Sequence, residues 1–272
     1  MREIQFAKLE SVGNDFVLIA ADQVEGLPKQ EVAKFVCQRR FGIGADGFIV
    51  IGAEEWGLDM AFYNPDGTSD FCGNGLRCAS FFAHEKRWIG EEFGVLQRGM
   101  LVPVSIKDGD VISTMPRATY IPSLVPVCSH KPFIEQEVFG VKGSAISTGS
   151  THFVVMVDEL PESPWFEEVS AKLERNPIFP ERTSVIWTKA VDDRNLKIRI
   201  WERGVGETLG CGTGATAAAV EWSRVSGVVG DITVSSFGGD LLMQVESIDE
   251  SVLVSAKPNL RFEGTIAVPT GY

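Results

Sequence analysis

The sequence predicts an α+β fold made of two pseudo-symmetric domains, and three observations support this prediction. The chain has 272 residues, which at roughly 150 residues per domain corresponds to about two domains. Short apolar runs that alternate or are rich in β-branched residues outnumber segments with helical periodicity. The order strand, polar turn, Cys-Gly-x-Gly, helix occurs around Cys72 and again around Cys211, about half the chain later. A repeat of this length indicates two equivalent domains rather than a solenoid.

The predicted strands are short because Gly, Pro, Asp and Asn interrupt the apolar runs. In the first half they are Ile4–Leu9, Phe16–Ala20, Gly47–Ile51, Leu58–Tyr63, Leu101–Ile106 and Val111–Met115. In the second half they are Ala145–Ser147, His152–Val157, Ser184–Thr188, Lys197–Trp201, Ile232–Ser236, Leu241–Val245, Val252–Ala256 and Arg261–Val268. The predicted helices are Lys29–Arg40, Gly73–Arg87, Trp165–Arg175 and Gly212–Val225. Gly227 is suited to end the last helix, because glycine adopts the left-handed conformation common after helix C-termini.

The boundary between the two halves is placed in Thr119–Pro132, which contains three prolines and little periodicity. The predicted domains are therefore residues 1–118 and 119–262. Hydrophobic residues make up 44% of the chain, which is enough for a packed core in each domain.

Charge and cysteine content limit the partners and the compartment. The formal net charge of −12 argues against a nucleic acid or an anionic membrane as the main partner. We find no apolar core of a signal peptide at the start and no run of about 18 apolar residues, so we expect a cytoplasmic protein. Five cysteines, an odd number spread over a long chain, do not form a disulfide framework. We interpret Cys37, Cys78 and Cys128 as structural.

Cys72 and Cys211 stand at strand-to-helix turns, and each is followed by Gly-x-Gly. The first N–H groups of a helix have no partner within it and carry the positive end of its dipole. The thiol pKa is therefore expected below its reference of about 8.5, and the N–H groups form a site for a carboxylate. One turn in each half predicts a single cleft with two thiols facing each other. Such a pair can remove an α-proton on one side and return it on the other, which inverts the carbon.

Other interpretations of these residues are less consistent with the sequence. A single cysteine before Gly-x-Gly is more often a packed small hydrophobe, but two in a repeat favour function. A redox dithiol lacks the C-x-x-C motif, and no His or Cys cluster has metal-ligand spacing, so no metal is expected. Phe41–Gly47 matches G-x-G-x-x-G but follows a helix and precedes a strand, the reverse of the dinucleotide-binding context. It predicts a turn and no NAD.

Five blocks that span nearly the whole chain resemble the diaminopimelate epimerase family. They are SVGNDF at Ser11–Phe16, FGIGADG at Phe41–Gly47, YNPDGTSDFCGNGLRC at Tyr63–Cys78, FPERTSV at Phe179–Val185 and WERGVGETLGCGTGA at Trp201–Ala215. The resemblance implies two domains, each a mostly antiparallel β-barrel-like sheet around a central helix, with the active site in the cleft between them. It also implies a final strand at about 263–272 that returns to the first domain. The implied activity is interconversion of LL- and meso-diaminopimelate for lysine and peptidoglycan precursors, without pyridoxal phosphate or another cofactor.

The resemblance also assigns roles to individual residues. Cys72 and Cys211 would be the acid–base pair, and His152 and Glu202 would tune them. The implied substrate-binding residues are Asn14, Asn64, Gly73, Asn74, Ser150, Ser184, Glu202, Arg203, Gly212 and Thr213. Taken alone, Arg203 would be interpreted as a solvated turn residue and His152 as a satisfied core histidine.

Two positions depart from the family pattern. Where the family commonly has Gly-Asn-Pro-His and Arg-x-Asn, this chain has Gly149-Ser-Thr-His and Arg182-Thr-Ser. Where the family has two side-chain amides for the far end of the substrate, this chain has the hydroxyls of Ser150 and Ser184. A serine hydroxyl reaches less far and has fewer hydrogen-bond donors than an amide. A racemase of another amino acid therefore stays open, as does a non-catalytic amino-acid-binding or redox-switch protein. A small-molecule amino acid is the expected partner, and a homodimer is left open.

Overall fold

The computed structural model describes residues 1–271, which form two compact units. Unit 1 comprises Met1–Ser113 and the chain from Ser255 onward, and unit 2 comprises Thr114–Val254. Both units are mostly sheet with a few helices, so the predicted α+β class is confirmed. The limits 1–118 and 119–262 stay a prediction of domain organisation. No helix within the described residues is long and apolar enough to cross a membrane.

The elements follow one another as short strands with four α-helices in the described chain. The first part contains β1 (Arg2–Ser11), β2 (Asn14–Ala20), α1 (Lys29–Val36), β3 (Gly47–Glu54), β4 (Gly57–Tyr63), α2 (Gly73–Glu85), β5 (Glu92–Gln97), β6 (Met100–Lys107) and β7 (Asp110–Thr114). Next come β8 (Gln136–Val138), β9 (Val141–Ser147), β10 (Thr151–Met156), α3 (Trp165–Glu174), β11 (Ser184–Asp192), β12 (Asn195–Glu202) and β13 (Gly206–Thr208). The chain ends with α4 (Gly212–Ser226), β14 (Gly230–Ser236), β15 (Gly239–Val245), β16 (Leu253–Ala256) and β17 (Asn259–Val268).

The two units repeat one strand topology, which confirms the repeat predicted from the cysteine turns. In unit 1, β1–β2, β3–β4 and β5–β6 pair antiparallel, whereas β2–β3 and β4–β5 pair parallel. In unit 2, β9–β10, β11–β12 and β14–β15 pair antiparallel, whereas β10–β11 and β12–β14 pair parallel. Each parallel connection contains a helix, and α2 and α4 occupy equivalent places. The late strand β17 pairs antiparallel with β1 in unit 1.

Side chains that alternate along the strands of unit 1 pack into two separate hydrophobic cores, one on each face of the sheet. Phe16 and Leu18 of β2 pack in the cluster that includes α2, and Val17 and Ile19 pack in the cluster that includes α1. Helix α2 is buried at every position from Asn74 to Ser80, so it is a central helix and not a surface one. Its first residue follows Cys72 directly, and the sheet packing therefore fixes the position of that cysteine.

Unit 2 has the same arrangement around α4. Val185 and Trp187 of β11 belong to the core cluster that contains Phe166 and Leu173 of α3. Ile186, between them, points to the other face and contacts the start of α4 at Gly214. Gly227 follows the last residue of α4 with φ +78°, as the sequence predicts. The Gly227 N–H donates to the Ser223 carbonyl.

Some local predictions were wrong. Helix α1 ends at Val36 instead of Arg40, because the N–H groups of Ile43 and Gly44 bond to the Val36 carbonyl and turn the chain back. A Cβ on Gly42 would lie 2.2 Å from the Phe35 carbonyl oxygen, so this tight return requires glycine there. Strand β5 was not predicted, since its pairing with β4 and not its own pattern makes it a strand.

The predicted structural cysteines divide into two groups. Cys37 and Cys78 are buried as predicted, and burial raises the pKa of the Cys37 thiol to about 12. Cys128 is exposed, so its interpretation as a structural residue was wrong. In the 119–132 segment the core positions are taken by Val125 and Val127, which leaves Cys128 facing outward.

We expect Gly57→Ala to lower the free energy of unfolding by about 2–4 kcal/mol. Gly57 begins β4 with φ +144°, and a Cβ there would lie 2.0 Å from the Gly94 carbonyl oxygen on β5. Urea denaturation followed by circular dichroism measures the change. Gly90→Ala is the control, because a Cβ on Gly90 would meet nothing within 4 Å. Equal stability of the two variants would contradict this account of the β4–β5 contact.

Candidate functional site

Cys72 is the N-cap residue of the central helix in unit 1. Its backbone is extended, at φ −137° and ψ 105°, and its carbonyl accepts the N–H of Leu76 at 2.9 Å. Its Sγ accepts the N–H of Gly75 at 3.3 Å, as a serine or aspartate oxygen would at a conventional N-cap. The thiol is half-buried. A sulfur held in this way faces the positive end of the helix dipole, which favours a thiolate.

The glycines around Cys72 make room for this cap. A Cβ on Gly75 would lie 3.3 Å from both the Cys72 sulfur and Ile49 Cδ1, so a side chain there would require one of them to shift by a few tenths of an ångström. Gly73 and Asn74 are the first two residues of α2, and N–H groups at these positions have no acceptor within a helix. They are therefore free of helical bonding and suited to an anion.

A chain of side-chain amides leads from the helix start to the sheet. Asn74 is buried, and its Nδ2 donates to Asn14 Oδ1 at 2.7 Å. Asn14 Nδ2 in turn donates to Asp46 Oδ2 at 3.4 Å. The Arg77 guanidinium donates to Asn74 Oδ1, which fixes the orientation of that amide. Two of the predicted binding residues, Asn14 and Asn74, are thus brought together and oriented.

An ion-pair cluster holds the start of β2, where Asn14 lies. Asp15 accepts two bonds from Arg39, at 2.9 and 3.1 Å, and pairs with Lys8 at 2.7 Å. Asp46 also pairs with Arg39, at 2.6 Å. Burial alone would raise the pKa of Asp15, but the hydrogen bonds from Arg39 and Lys8 lower it well below its ordinary value. Asp15 is therefore ionised at neutral pH, and its ion pairs fix the strand beside Asn14.

Asn64 follows β4 and is engaged in a tight turn. Its Nδ2 donates to Thr68 Oγ1 at 3.0 Å, and its N–H donates to the Thr68 carbonyl at 2.8 Å. Among the described residues, no hydrogen bond joins Asn64 to Asn14 or Asn74. Its predicted role in substrate binding stays a prediction.

Cys211 repeats the geometry of Cys72 at the start of α4 in unit 2. Its φ and ψ are −143° and 110°, and its Sγ accepts the N–H of Gly214 at 3.4 Å. A Cβ on Gly214 would lie 2.6 Å from Ile186 Cδ1, so glycine is required here as well. Gly212 and Thr213 supply the two leading N–H groups of this helix. The repeat in sequence is therefore a repeat of cap geometry.

A loop with Ser150 lies against the Cys211 turn. Thr213 Oγ1 is 3.3 Å from the Cys211 sulfur, and the Thr213 carbonyl accepts the Thr148 hydroxyl at 2.8 Å. The chain turns at Gly149, with φ +97°, and the Thr148 N–H donates to the Ser150 carbonyl. Ser150 is thus linked to Thr213 through Thr148, whose N–H bonds to Ser150 and whose hydroxyl bonds to Thr213, and Ser150 is half-buried.

Ser184 and the Glu202–Arg203 turn form one hydrogen-bonded group. The Arg203 N–H donates to Ser184 Oγ at 3.1 Å, and the Arg203 guanidinium donates to the Glu181 carbonyl. Glu202 Oε1 accepts the Thr208 hydroxyl at 2.6 Å. One acceptor position of the Ser184 hydroxyl is therefore used in the turn.

His152 is buried on β10, directly opposite Ser184 in the parallel pairing with β11. Neither ring nitrogen has a hydrogen-bond partner among the described residues. Burial, with the charge of Arg203 adding to it, lowers the pKa of His152 to about 3. The ring is therefore neutral at neutral pH, and it acts on its surroundings by packing and dipole rather than by a full charge.

Sequence reasoning missed Glu174, which organises the turn that carries Glu202 and Arg203. Its buried carboxylate accepts the Gly204 N–H at 2.7 Å and the Trp201 Nε1–H at 3.0 Å, and it pairs with Arg182. Burial raises its pKa, but these bonds outweigh burial and leave it below the ordinary value. The sequence could have indicated this role, because Glu174 lies eight residues after Phe166 and therefore on the same buried face of α3.

Comparison with known proteins identifies the family. The family model for diaminopimelate epimerase matches residues 6–121 and 144–259, one match in each half of the repeat. The chain belongs to the diaminopimelate epimerase family. It is 33% identical to a diaminopimelate epimerase of Caldanaerobacter subterraneus subsp. tengcongensis, over 97% of this chain and 100% of that one. It is 35% identical to a diaminopimelate epimerase of Moorella thermoacetica, over 96% and 98% of the two chains.

Solved structures share the fold at low sequence identity. A Bacillus anthracis phenazine biosynthesis protein of the PhzF family superposes with a TM-score of 0.72 at 14% identity, over 98% of this chain and all of that one. A hydroxyproline epimerase of Agrobacterium vitis superposes with a TM-score of 0.69, also at 14% identity, over 100% and 93% of the two chains. With the diaminopimelate epimerase relatives, these findings make the protein an isomerase of the epimerase type. No group of three or more metal-ligating side chains is found in residues 1–271.

We expect Glu174→Gln to lower the free energy of unfolding by about 2 kcal/mol at neutral pH, because charge-assisted bonds to Arg182 and Gly204 are lost. The folded-state pKa lies below the value of 4.5 expected when unfolded, so this stability is present above about pH 4.5. This stability is lost as the pH falls through the lower folded-state pKa. The free energies of unfolding of the wild type and Glu174→Gln should therefore become equal at that pH. Urea titrations at several pH values measure this.

The control for this experiment is Glu168→Gln, an exposed carboxylate on the same helix. It should change stability by less than about 0.5 kcal/mol at any pH. A Glu174→Gln difference that does not change with pH would contradict a role for the charged carboxylate.

Proposed function

We propose that the protein is a diaminopimelate epimerase that interconverts the LL and meso forms by inverting one α-carbon, without pyridoxal phosphate or another cofactor. One observation carries the proposal. In this member of the diaminopimelate epimerase family, two half-buried cysteines, Cys72 and Cys211, cap the buried helices α2 and α4 with the same geometry. The names of the relatives support diaminopimelate as the substrate, and the two cysteine caps support proton transfer at the α-carbon as the reaction. The product would serve lysine and peptidoglycan precursor synthesis.

The proposed reaction uses the cysteines as base and acid on opposite faces of one carbon. One thiolate removes the α-proton and becomes a thiol, and the electron pair of the broken C–H bond is left on the substrate. The other thiol then gives its proton to the opposite face and becomes a thiolate. Helix N-caps suit both states, because the N–H bonds from Gly75 and Gly214 support a sulfur of either charge.

The leading N–H groups of α2 and α4 would bind the carboxylate at the reacting centre. Negative charge moves onto this carboxylate as the proton leaves, so donors already fixed in a helix stabilise the transition state more than the ground state. Gly73 and Asn74 would provide these donors in unit 1, and Gly212 and Thr213 would provide them in unit 2. Asn14 would contribute through its contact with Asn74.

The distal end of the substrate carries an ammonium and a carboxylate, and the Glu202–Arg203 turn offers the complementary charges. Glu174 would position this turn through its bond to the Gly204 N–H. Ser150, Ser184 and Asn64 would add hydrogen bonds. His152, neutral and packed opposite Ser184, would shape this part of the site without supplying charge.

A second candidate is a racemase of a different amino acid on the same scaffold. The observation in its favour is the pair of serines at 150 and 184, and the Ser184 hydroxyl already accepts one hydrogen bond from the Arg203 N–H. Short hydroxyls leave room and offer fewer donors than amides. The charged turn at Glu202 and Arg203 favours diaminopimelate, whose distal end is zwitterionic.

We expect the purified, reduced protein to exchange the α-hydrogen of LL- and meso-diaminopimelate in deuterated water, as followed by NMR. In the same assay, Cys72→Ala and Cys211→Ala should each lose about 1000-fold or more of the epimerisation rate, because each removes one of two required proton carriers. Both variants should retain the circular dichroism of the wild type.

Cys128→Ser is the matched control, because Cys128 is exposed and lies outside the cysteine turns. Its rate should equal that of the wild type. Exchange with another amino acid of the panel but not with diaminopimelate would select the second candidate. No exchange with any substrate would leave an amino-acid-binding protein, and a cysteine variant with near wild-type rate would remove that cysteine from the mechanism.

A further inference from the structure

Each unit joins the second residue of its central helix to a neighbouring β-hairpin. In unit 1 the hairpin of β1 and β2 makes this contact through Asn14, whose side chain bonds to the Asn74 side chain at 2.7 Å. In unit 2 the hairpin of β9 and β10 makes it through Thr148, whose hydroxyl bonds to the Thr213 carbonyl at 2.8 Å. Asn14, Asn74 and Thr213 are among the binding residues that the sequence implies. Thr148 is the fourth member of this repeated contact.

The Thr148 hydroxyl is fully buried and donates in a defined direction. A carbonyl oxygen has no proton to give, so the hydroxyl is the donor and the Thr213 carbonyl is the acceptor. A buried hydroxyl in this place makes a hydrogen bond that water cannot readily replace. Loss of the hydroxyl therefore removes a specific bond to the start of α4.

The Thr213 carbonyl and the Gly214 N–H belong to the same peptide group. The Gly214 N–H donates to Cys211 Sγ at 3.4 Å, so two hydrogen bonds lead from the Thr148 hydroxyl to the sulfur. The two ends of a peptide group are coupled by resonance, and hydrogen bonds in series polarise one another. A donor on the carbonyl therefore makes the N–H a stronger donor to the sulfur.

Backbone contacts on both sides fix the position of Thr148. Before it, Ser147 exchanges two backbone hydrogen bonds with Thr119, at 2.9 and 3.0 Å. After it, the chain turns at Gly149 with φ +97°, where a Cβ would lie 3.2 Å from Pro116 Cγ. The Thr148 hydroxyl thus reaches the helix from a turn that is packed against neighbouring chain.

The segment that carries Thr119 also bonds to α4 at a second point. Tyr120 donates its hydroxyl to Oε2 of the buried Glu221 at 2.7 Å. Arg224 donates to the same carboxylate at 2.8 and 3.0 Å, so Glu221 is paired. Together with the bond from Thr148 near the helix start, this contact opposes a rotation of α4 that would displace its first peptide groups.

We propose that Thr148 is a positioning residue, which holds the start of α4 and strengthens the hydrogen bond from the Gly214 N–H to the Cys211 sulfur. This proposal rests on the proposed acid–base function of Cys211. Thr148 acts on the reaction through the peptide group between Thr213 and Gly214. A displaced helix start would also misplace the N–H groups of Gly212 and Thr213, which the proposed function assigns to the substrate carboxylate.

The test compares Thr148→Val, which has nearly the same shape but no hydroxyl, with Thr148→Ser, which keeps the hydroxyl. We expect Thr148→Val to lower kcat for diaminopimelate epimerisation by about 3- to 10-fold, the usual contribution of one buried hydrogen bond. KM should change by less than about twofold, because the lost interaction acts mainly in the transition state. Thr148→Ser should keep most of the wild-type kcat.

Nuclear magnetic resonance of the isotope-labelled full-length protein reports on the Gly214 N–H directly. The proton shift of a backbone amide moves upfield when the hydrogen bond that it donates becomes weaker. The Gly214 amide proton should therefore move upfield in Thr148→Val and stay near its wild-type position in Thr148→Ser. Gly75, which makes the equivalent bond to the Cys72 sulfur, is the internal reference and should not move.

Thr188→Val is the matched control. Thr188 is an equally buried threonine, and its hydroxyl lies 3.5 Å from the Ile186 carbonyl on its own strand. This variant should keep the wild-type kcat. If Thr148→Val does not fold, Thr148→Ser and Thr148→Ala provide the same comparison, because the hydroxyl is what separates serine from alanine.

A wild-type kcat in Thr148→Val, a defect confined to KM, or an unmoved Gly214 amide proton would overturn the proposal. Equal losses of kcat in Thr148→Val and Thr148→Ser would also overturn it, since packing and not the hydroxyl would then be responsible. Each of these results in an enzyme that still exchanges α-hydrogens leaves the proposed function intact. Absence of exchange in the wild type would instead remove the proposed function, and the Gly214 shift would still decide whether Thr148 acts on the peptide group.

Discussion

The bond from a glycine N–H to a cysteine sulfur at the start of a buried helix is the interaction on which the site depends. It occurs at Gly75 with Cys72 and at Gly214 with Cys211. The bond fixes the sulfur at the positive end of the helix dipole and leaves the two preceding N–H groups without helical acceptors. A thiol in this position combines a stabilised anionic form with an adjacent carboxylate site, which is what proton removal beside a carboxylate requires.

This cap is held by packing from the sheet. Ile49 of β3 and Ile186 of β11 contact the cap glycines, so a larger residue at either glycine would displace the helix start or the strand. Both strands take the same place in their units, parallel to the preceding strand and antiparallel to the next. The repeated topology thus reproduces the cap geometry in both units.

The two caps differ in the polar groups that surround them. In unit 1 the cap is supported by amides and a buried guanidinium, from Asn14 through Asn74 to Arg77. In unit 2 it is supported by hydroxyls, and the nearby turn is organised by the Glu174 carboxylate. The repeated topology therefore keeps the cap geometry while the polar groups that support each cap differ.

The sequence by itself determined the repeat, the two cysteine turns, most strands and the four helices, because these depend on local periodicity and on glycines with a steric purpose. It also indicated the family through motifs that lie in order along the chain. The tertiary structure decided what depends on contacts between distant residues: the end of α1 at Val36, the strand character of β5, the outward position of Cys128, and the partners of Arg77 and Glu174. Arg77 is the one charged residue between Asp70 and His84. The sequence alone does not show that its guanidinium is fully buried, with the neutral groups of Asn74 and Ser113 as its hydrogen-bond partners among residues 1–271. Local pattern reports which face of an element is apolar, whereas the energy of a buried charge is set by groups that the fold brings together from far along the chain.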